Sequence, residues 1–94
     1  MAKRSEGEED AWRAYAAELA TNLRRLRLSV SLSQEDVAYR AGLTRYTYQK
    51  YEKGESAPGR PANPTLRTLL AVSQVLQVPL ADLLPRDAPD VRLR

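Results

Sequence analysis

The segment 33–54, SQEDVAYRAGLTRYTYQKYEKG, constrains the fold more than any other part of the chain, because it carries start and stop signals for two short helices within 22 residues. Ser33 is suited to an N-cap, since its hydroxyl can accept from a free backbone N–H, and Gln34, Glu35 and Asp36 place polar and acidic groups in the first turn. Val37, Ala38 and Ala41 follow at one-face spacing. Gly42 then supplies a residue that can take the left-handed conformation and end the helix without a Cβ penalty, and Leu43 becomes the buried hinge. Thr44 caps the next helix. In it Tyr48 and Tyr51 share one face, while Arg45, Tyr46, Gln49, Lys50 and Lys53 share the other.

Two helices joined by a short glycine-containing turn, the second displaying hydrogen-bonding side chains, make a helix-turn-helix over about 33–53. The usual docking site of such a second helix is the major groove of DNA. The same segment resembles the Cro and phage-repressor type of helix-turn-helix, also called the xenobiotic-response-element (XRE) type. Upstream, LRRLR at 23–27 is similar to the end of that family's first helix, and downstream PTLRTLLAVSQVLQVPLADLL is similar to its fourth and fifth helices. The resemblance covers 19–84. It implies an all-α, compact five-helix bundle of the lambda-repressor-like DNA-binding type, and a transcriptional regulator, acting as a repressor, that binds double-stranded DNA as a homodimer. The size also suits a restriction-modification controller, an antitoxin-type repressor, or a protein-interaction adaptor that keeps the fold.

The residue types carry the chemistry this implies. In the resembled family, Arg45, Tyr46, Gln49 and Lys50 match the positions that read base edges. Arginine can pair bidentately with guanine O6/N7 and glutamine with adenine N6/N7. Gln34 matches a position that meets a backbone phosphate together with the free N–H groups of a helix N-terminus. Thr44, Thr47 and Lys53 suit phosphate contacts that orient the helix. Arg27 and Glu52 match a structural salt bridge tying the first helix to the end of the third, and this outweighs a catalytic or base-reading role for Glu52. Tyr48 and Tyr51 stand where the family commonly has Ile or Leu, so their rings are expected to fill the core.

Around the motif, the first helix is expected from Glu8 or Glu9 to about Ser29, with Trp12, Ala16, Leu19, Leu23, Leu26 and Val30 spaced 4, 3, 4, 3 and 4 apart along one face. It is longer than the family usually shows, so Trp12 and Tyr15 either fold back over the domain or serve as a dimer contact. The prolines and glycine of the insert at about 55–64 predict a loop without regular structure, whose Arg60 can reach a phosphate. Pro64 and Thr65 open a fourth helix, interrupted at 77–79 and followed by a brief fifth around Leu80, Leu83 and Leu84. Residues 8–84 form the DNA-binding domain, with disordered tails at 1–7 and 85–94.

Charge and composition agree. Residues 1–10 carry a net −2, residues 11–78 a net +5, and residues 79–94 balance, so the positive field sits on the helical body, as a phosphate-facing surface requires. Cysteine and histidine are absent, which removes disulfides, thiolate or Ser-His-Asp catalysis and the usual zinc sites. No enzyme activity, metal or cofactor is expected. No apolar run is long enough for a membrane span and the acidic start does not suit a signal peptide, so a cytoplasmic protein of bacterial or phage type is expected. With no second domain for a small-molecule effector, regulation would act through concentration, a protein partner or proteolysis.

Overall fold

A computed structural model describes residues 6–92. Helix α1 spans Glu6–Ser29 and opens with Glu6, Glu8 and Glu9 against the positive end of its dipole. It therefore starts two residues before Glu8, and Glu6 and Gly7 belong to the helix rather than to a tail; the rest of the expected tail lies outside the described residues. Ala16, Leu19, Ala20, Leu23 and Leu26 are buried along it. Val30 does not extend the stripe, because the chain has already turned and leaves it exposed.

Helix α2, Gln34–Ala41, begins in a capping box: Ser33 Oγ accepts from the Asp36 amide (3.0 Å), and Asp36 Oδ2 accepts from the Ser33 amide (3.1 Å). The Ser33 amide foremost, and then the Ser33 side chain, hold the Asp36 carboxyl below its ordinary pKa. At the other end Gly42 takes φ +75° and Leu43 N–H donates to the Ala38 carbonyl (2.8 Å), so the helix stops and the chain reverses into α3, Arg45–Glu52. Thr44 Oγ1 caps α3 by accepting from the Thr47 amide at 3.1 Å.

After α3 the structure departs from expectation. The insert is a small antiparallel hairpin, β1 (Glu55–Ala57) and β2 (Arg60–Pro61), where a loop without regular structure was expected, within a fold that is otherwise of the expected all-α type. The hairpin turns at Pro58-Gly59, with Gly59 at φ +77°; proline followed by a positive-φ glycine is the local preference of a tight turn. Ser56 is bulged out of the pairing, since Glu55 faces Pro61 and Ala57 faces Arg60. The base is closed by the Ala62 amide donating to the Gly54 carbonyl (2.7 Å). Gly54, at φ +75°, passes so close to α1 that a Cβ would sit 3.3 Å from the Ala17 Cα.

Helix α4, Leu66–Leu76, is capped by Thr65 and buries Val72, Ser73 and Leu76; the Ser73 hydroxyl donates to the Leu70 carbonyl (2.8 Å). Gln77 ends it in the left-handed region at φ +60°. The expected fifth helix is only a 3₁₀ turn, Leu80–Asp82, starting after Pro79. Among the described residues, four α-helices and this turn enclose one core of Leu19, Leu23, Leu26, Val37, Ala38, Tyr48, Val72, Leu76 and Leu83. Residues 85–92 carry no regular secondary structure. Helix α3 packs on both α1 and α2, with one long face left toward solvent.

Candidate nucleic-acid interface

That outer face exists because the inner one is anchored. Tyr48 is fully buried and Tyr51 packs against the same core, which turns Arg45 and Tyr46 outward, Tyr46 with 64% of its surface exposed. Gln49 and Lys50 follow at the half-buried edge, and Lys53, the C-cap, is exposed. All four candidate base-reading residues thus lie on one accessible side of α3.

Beneath this face runs a hydrogen-bonded chain. Arg27 Nε donates to Glu52 Oε2 (2.7 Å) and Arg27 Nη2 to Glu52 Oε1 (3.0 Å), a fork on a carboxylate only 3% exposed. Arg27 Nη1 also donates to the Leu32 carbonyl (3.0 Å), and Arg24 Nη2 to the Glu52 carbonyl (3.3 Å). The expected salt bridge between the first and third helices is therefore present. Gln34 Nε2 donates to Glu52 Oε1 (3.0 Å), and Gln49 Nε2 donates to Gln34 Oε1 (3.2 Å). Burial pushes the Glu52 carboxyl up, but the bonds from Arg27 foremost, the Tyr48 hydroxyl nearby and the bond from Gln34 more than reverse this and hold it below the ordinary glutamate range. The bond to Glu52 correspondingly raises Arg27. The Tyr48 hydroxyl lies beside the pair without meeting good hydrogen-bond geometry; burial above all, and then Glu52, raises its pKa and keeps it neutral.

The remaining predicted residues are spread over several places. Lys50 lies 4.2 Å from the Tyr46 ring centre and donates from Nζ to the carbonyl of the bulged Ser56 (3.1 Å), so it joins α3 to the hairpin. Thr44 and Thr47 bond each other at the start of α3, Oγ1 to Oγ1 at 2.9 Å. Arg45 shares a shallow cleft with Arg27, Ser33, Gln34 and Glu35, which sets it beside the N-terminus of α2. Arg60 is exposed on β2, where it lines a separate cleft with Glu8, Glu9, Trp12 and Arg13. Trp12 and Tyr15 lie on α1 with ring centres 5.6 Å apart, and both bond within the chain: Trp12 Nε1 donates to the Ala62 carbonyl (3.1 Å) and Tyr15 Oη to the Pro85 carbonyl (3.5 Å).

Sequence reasoning separated Gln34, as a phosphate contact, from Gln49, as a reading residue, and missed that they touch. It also missed Arg13, whose Nη1 donates to the Gly59 carbonyl and fastens the hairpin tip to α1 (3.2 Å). Only the Pro58-Gly59 turn was locally visible; a bond between residues 46 apart leaves no spacing signal.

A family model described as a helix-turn-helix domain matches residues 18–84. The chain belongs to that helix-turn-helix family. The match coincides with the span 19–84 over which the resemblance was drawn. Among solved structures, the restriction-modification controller protein C.AhdI from Aeromonas hydrophila is similar at 28% identity and a TM-score of 0.66, over 74% of this chain and 97% of that one. No curated protein matches. The two likenesses fit the Cro and phage-repressor type of helix-turn-helix, and the chain is a DNA-binding transcriptional regulator with double-stranded DNA as its partner. Helix-turn-helix regulators of this kind are generally non-enzymatic. Among the described residues no helix is long and apolar enough to cross a membrane.

Proposed function

We propose that the protein is a sequence-specific repressor that lays α3 in the major groove as a homodimer on two half-sites. The observation that carries this reading is the division of α3: Tyr48 and Tyr51 fix its inner face, and Arg45, Tyr46, Gln49 and Lys50 occupy the accessible side. Arg45 and Gln49 read bases. The Tyr46 edge and Lys50 act from the rim, where Lys50 has the Ser56 carbonyl and the Tyr46 ring as its resting partners.

Gln34, the capped start of α3 at Thr44 and Thr47, Lys53 and the hairpin's Arg60 hold phosphates and set the angle of entry. One small domain buries too little surface for high specificity alone, so a dimer on half-sites about 34–36 Å apart supplies the rest. Trp12 and Tyr15 serve the domain itself, since their polar atoms are engaged by Ala62 and Pro85. The protein acts in the cytoplasm.

Control of a restriction-modification system is the second reading, favoured by a likeness to the controller protein that spans 97% of that chain. Selection from a randomised duplex library at moderate salt tests the main proposal. Recovered sites should be two-fold symmetric, and the log–log slope of affinity against salt should lie near about −5 to −9 for a dimer with three to five phosphate contacts per subunit. Recovery of no common sequence, or a slope near zero, would refute it and point to a protein-interaction adaptor.

A further inference from the structure

The chain Arg27–Glu52–Gln34–Gln49 has a direction. A carboxylate accepts hydrogen bonds and donates none, and Arg27 keeps Glu52 in that form. Gln34 must therefore turn its Nε2 toward Glu52, which leaves its Oε1 toward Gln49. Gln49 can answer an oxygen only with its own Nε2. The two ends of a carboxamide have nearly the same size and shape, so packing alone does not choose between them; hydrogen bonding does.

We propose that Glu52 is a positioning residue for base reading: acting through Gln34, it fixes which end of the Gln49 carboxamide faces which part of the groove. This inference rests on the reading that Gln49 contacts bases. With one N–H committed to Gln34, Gln49 keeps its Oε1 and a second N–H, an acceptor and a donor side by side. That pair matches the N6 donor and N7 acceptor of adenine in one order only. A free glutamine could flip to suit the opposite order on another base, whereas the relay opposes the flip. Reversal would set Gln34 oxygen against Glu52 oxygen, or leave a bond unmade on a carboxylate withdrawn from water.

The test uses the full-length protein and four forms: wild type, Gln49→Ala, Gln34→Met and Glu52→Gln. Each is taken through randomised-duplex selection and then competition against single-base variants of the wild-type site, with thermal melting in parallel. Gln34→Met removes the middle of the relay and leaves the Arg27–Glu52 pair in place, so it decides the matter even where Glu52→Gln does not fold. A carboxamide at 52 can offer either end to Gln34, so Glu52→Gln frees both orientations.

At the base pair where Gln49→Ala abolishes preference, both relay variants should reduce a preference of about ten-fold to about two-fold or less. Preference at the base pairs read by Arg45 should stay within about two-fold of wild type, while Gln34→Met also lowers affinity evenly through its lost phosphate contact. Full preference retained at the Gln49 position in Gln34→Met overturns the relay and leaves reading by Gln49 intact. Preference lost at every position is the mark of a merely structural role and overturns it too. If Gln49→Ala changes no preference, the relay and the reading beneath it fall together.

Discussion

Arg27→Met is the substitution whose consequence the structure specifies most fully. Its guanidinium makes two bonds to Glu52, at 2.7 and 3.0 Å, and a third to the Leu32 carbonyl, with the two side chains 12% and 3% exposed. Methionine keeps much of the stem's packing and removes all three bonds. Breaking a buried pair by deleting one partner costs about 3–5 kcal/mol, because the remaining charge is left uncompensated. A chain of this length holds about 5–14 kcal/mol in total, so about a fifth or more of the stability would go, and Tm would fall by about 12–40 °C.

The pH dependence should also change sign. In the wild type the folded-state pKa of Glu52 is depressed, so its contribution is present above the unfolded value of about 4.3 and is lost as pH falls through the lower folded one. Without Arg27, burial dominates and lifts the folded value above the unfolded one. Stability is then favoured below about pH 4.3 and lost as pH rises through the raised value. Urea unfolding followed by circular dichroism between pH 7.5 and 3.5 measures both effects. The double variant Arg27→Met/Glu52→Met should return to within about 2 kcal/mol of wild type, since an apolar pair can replace a buried ionic one. An Arg27→Met protein within about 1 kcal/mol of wild type at neutral pH, or one that weakens on acidification as the wild type does, would refute the reasoning.

Four further outcomes are expected. Gly42→Ala, at φ +75° in open space, should cost about 1–2 kcal/mol in chemical unfolding, and Gly54→Ala, at the same φ but 3.3 Å from the Ala17 backbone, should cost clearly more; equal costs would mean that α1 yields freely at Ala17. Tyr48→Phe should be neutral or stabilising by up to about 1 kcal/mol, because the hydroxyl it removes is buried without a well-formed bond, and a Tm drop of several degrees would instead reveal a strong bond to Glu52. Trp12→Phe keeps a ring but loses the donor to Ala62, so hydrogen exchange at the Ala62 and Gly54 amides should accelerate while the α2–α3 amides stay protected; unchanged exchange would show that the hairpin needs no anchor. Arg60→Ala should reduce the salt slope of DNA binding by about one unit per subunit contact with no change in base preference, and an unchanged slope would leave Arg60 solvated.

The local part of this protein was legible in its residues. Ser33, Thr44 and Thr65 cap helices and Gly42 ends one through bonds that span no more than five residues, and such bonds depend on neighbours in sequence. The α1 stripe from Ala16 to Leu26 was legible for the same reason, as was the outward placement of Arg45 and Tyr46 once Tyr48 and Tyr51 were set inward. The resemblance added the Arg27–Glu52 pair, which no spacing rule would have joined across 25 residues.

What the tertiary structure decided was made by long-range contact. Pro58-Gly59 could mark a turn, but its becoming a hairpin depended on Trp12 holding Ala62 and Arg13 holding Gly59 from a helix 46 to 50 residues earlier. Lys50 looked like one more groove-facing cation until the bulge brought the Ser56 carbonyl under it. Gln34 and Gln49 looked like separate contacts with separate roles. Packing α2 against α3 over a buried carboxylate made them one relay, because a charge out of water draws the nearest donors to it and orients each in turn.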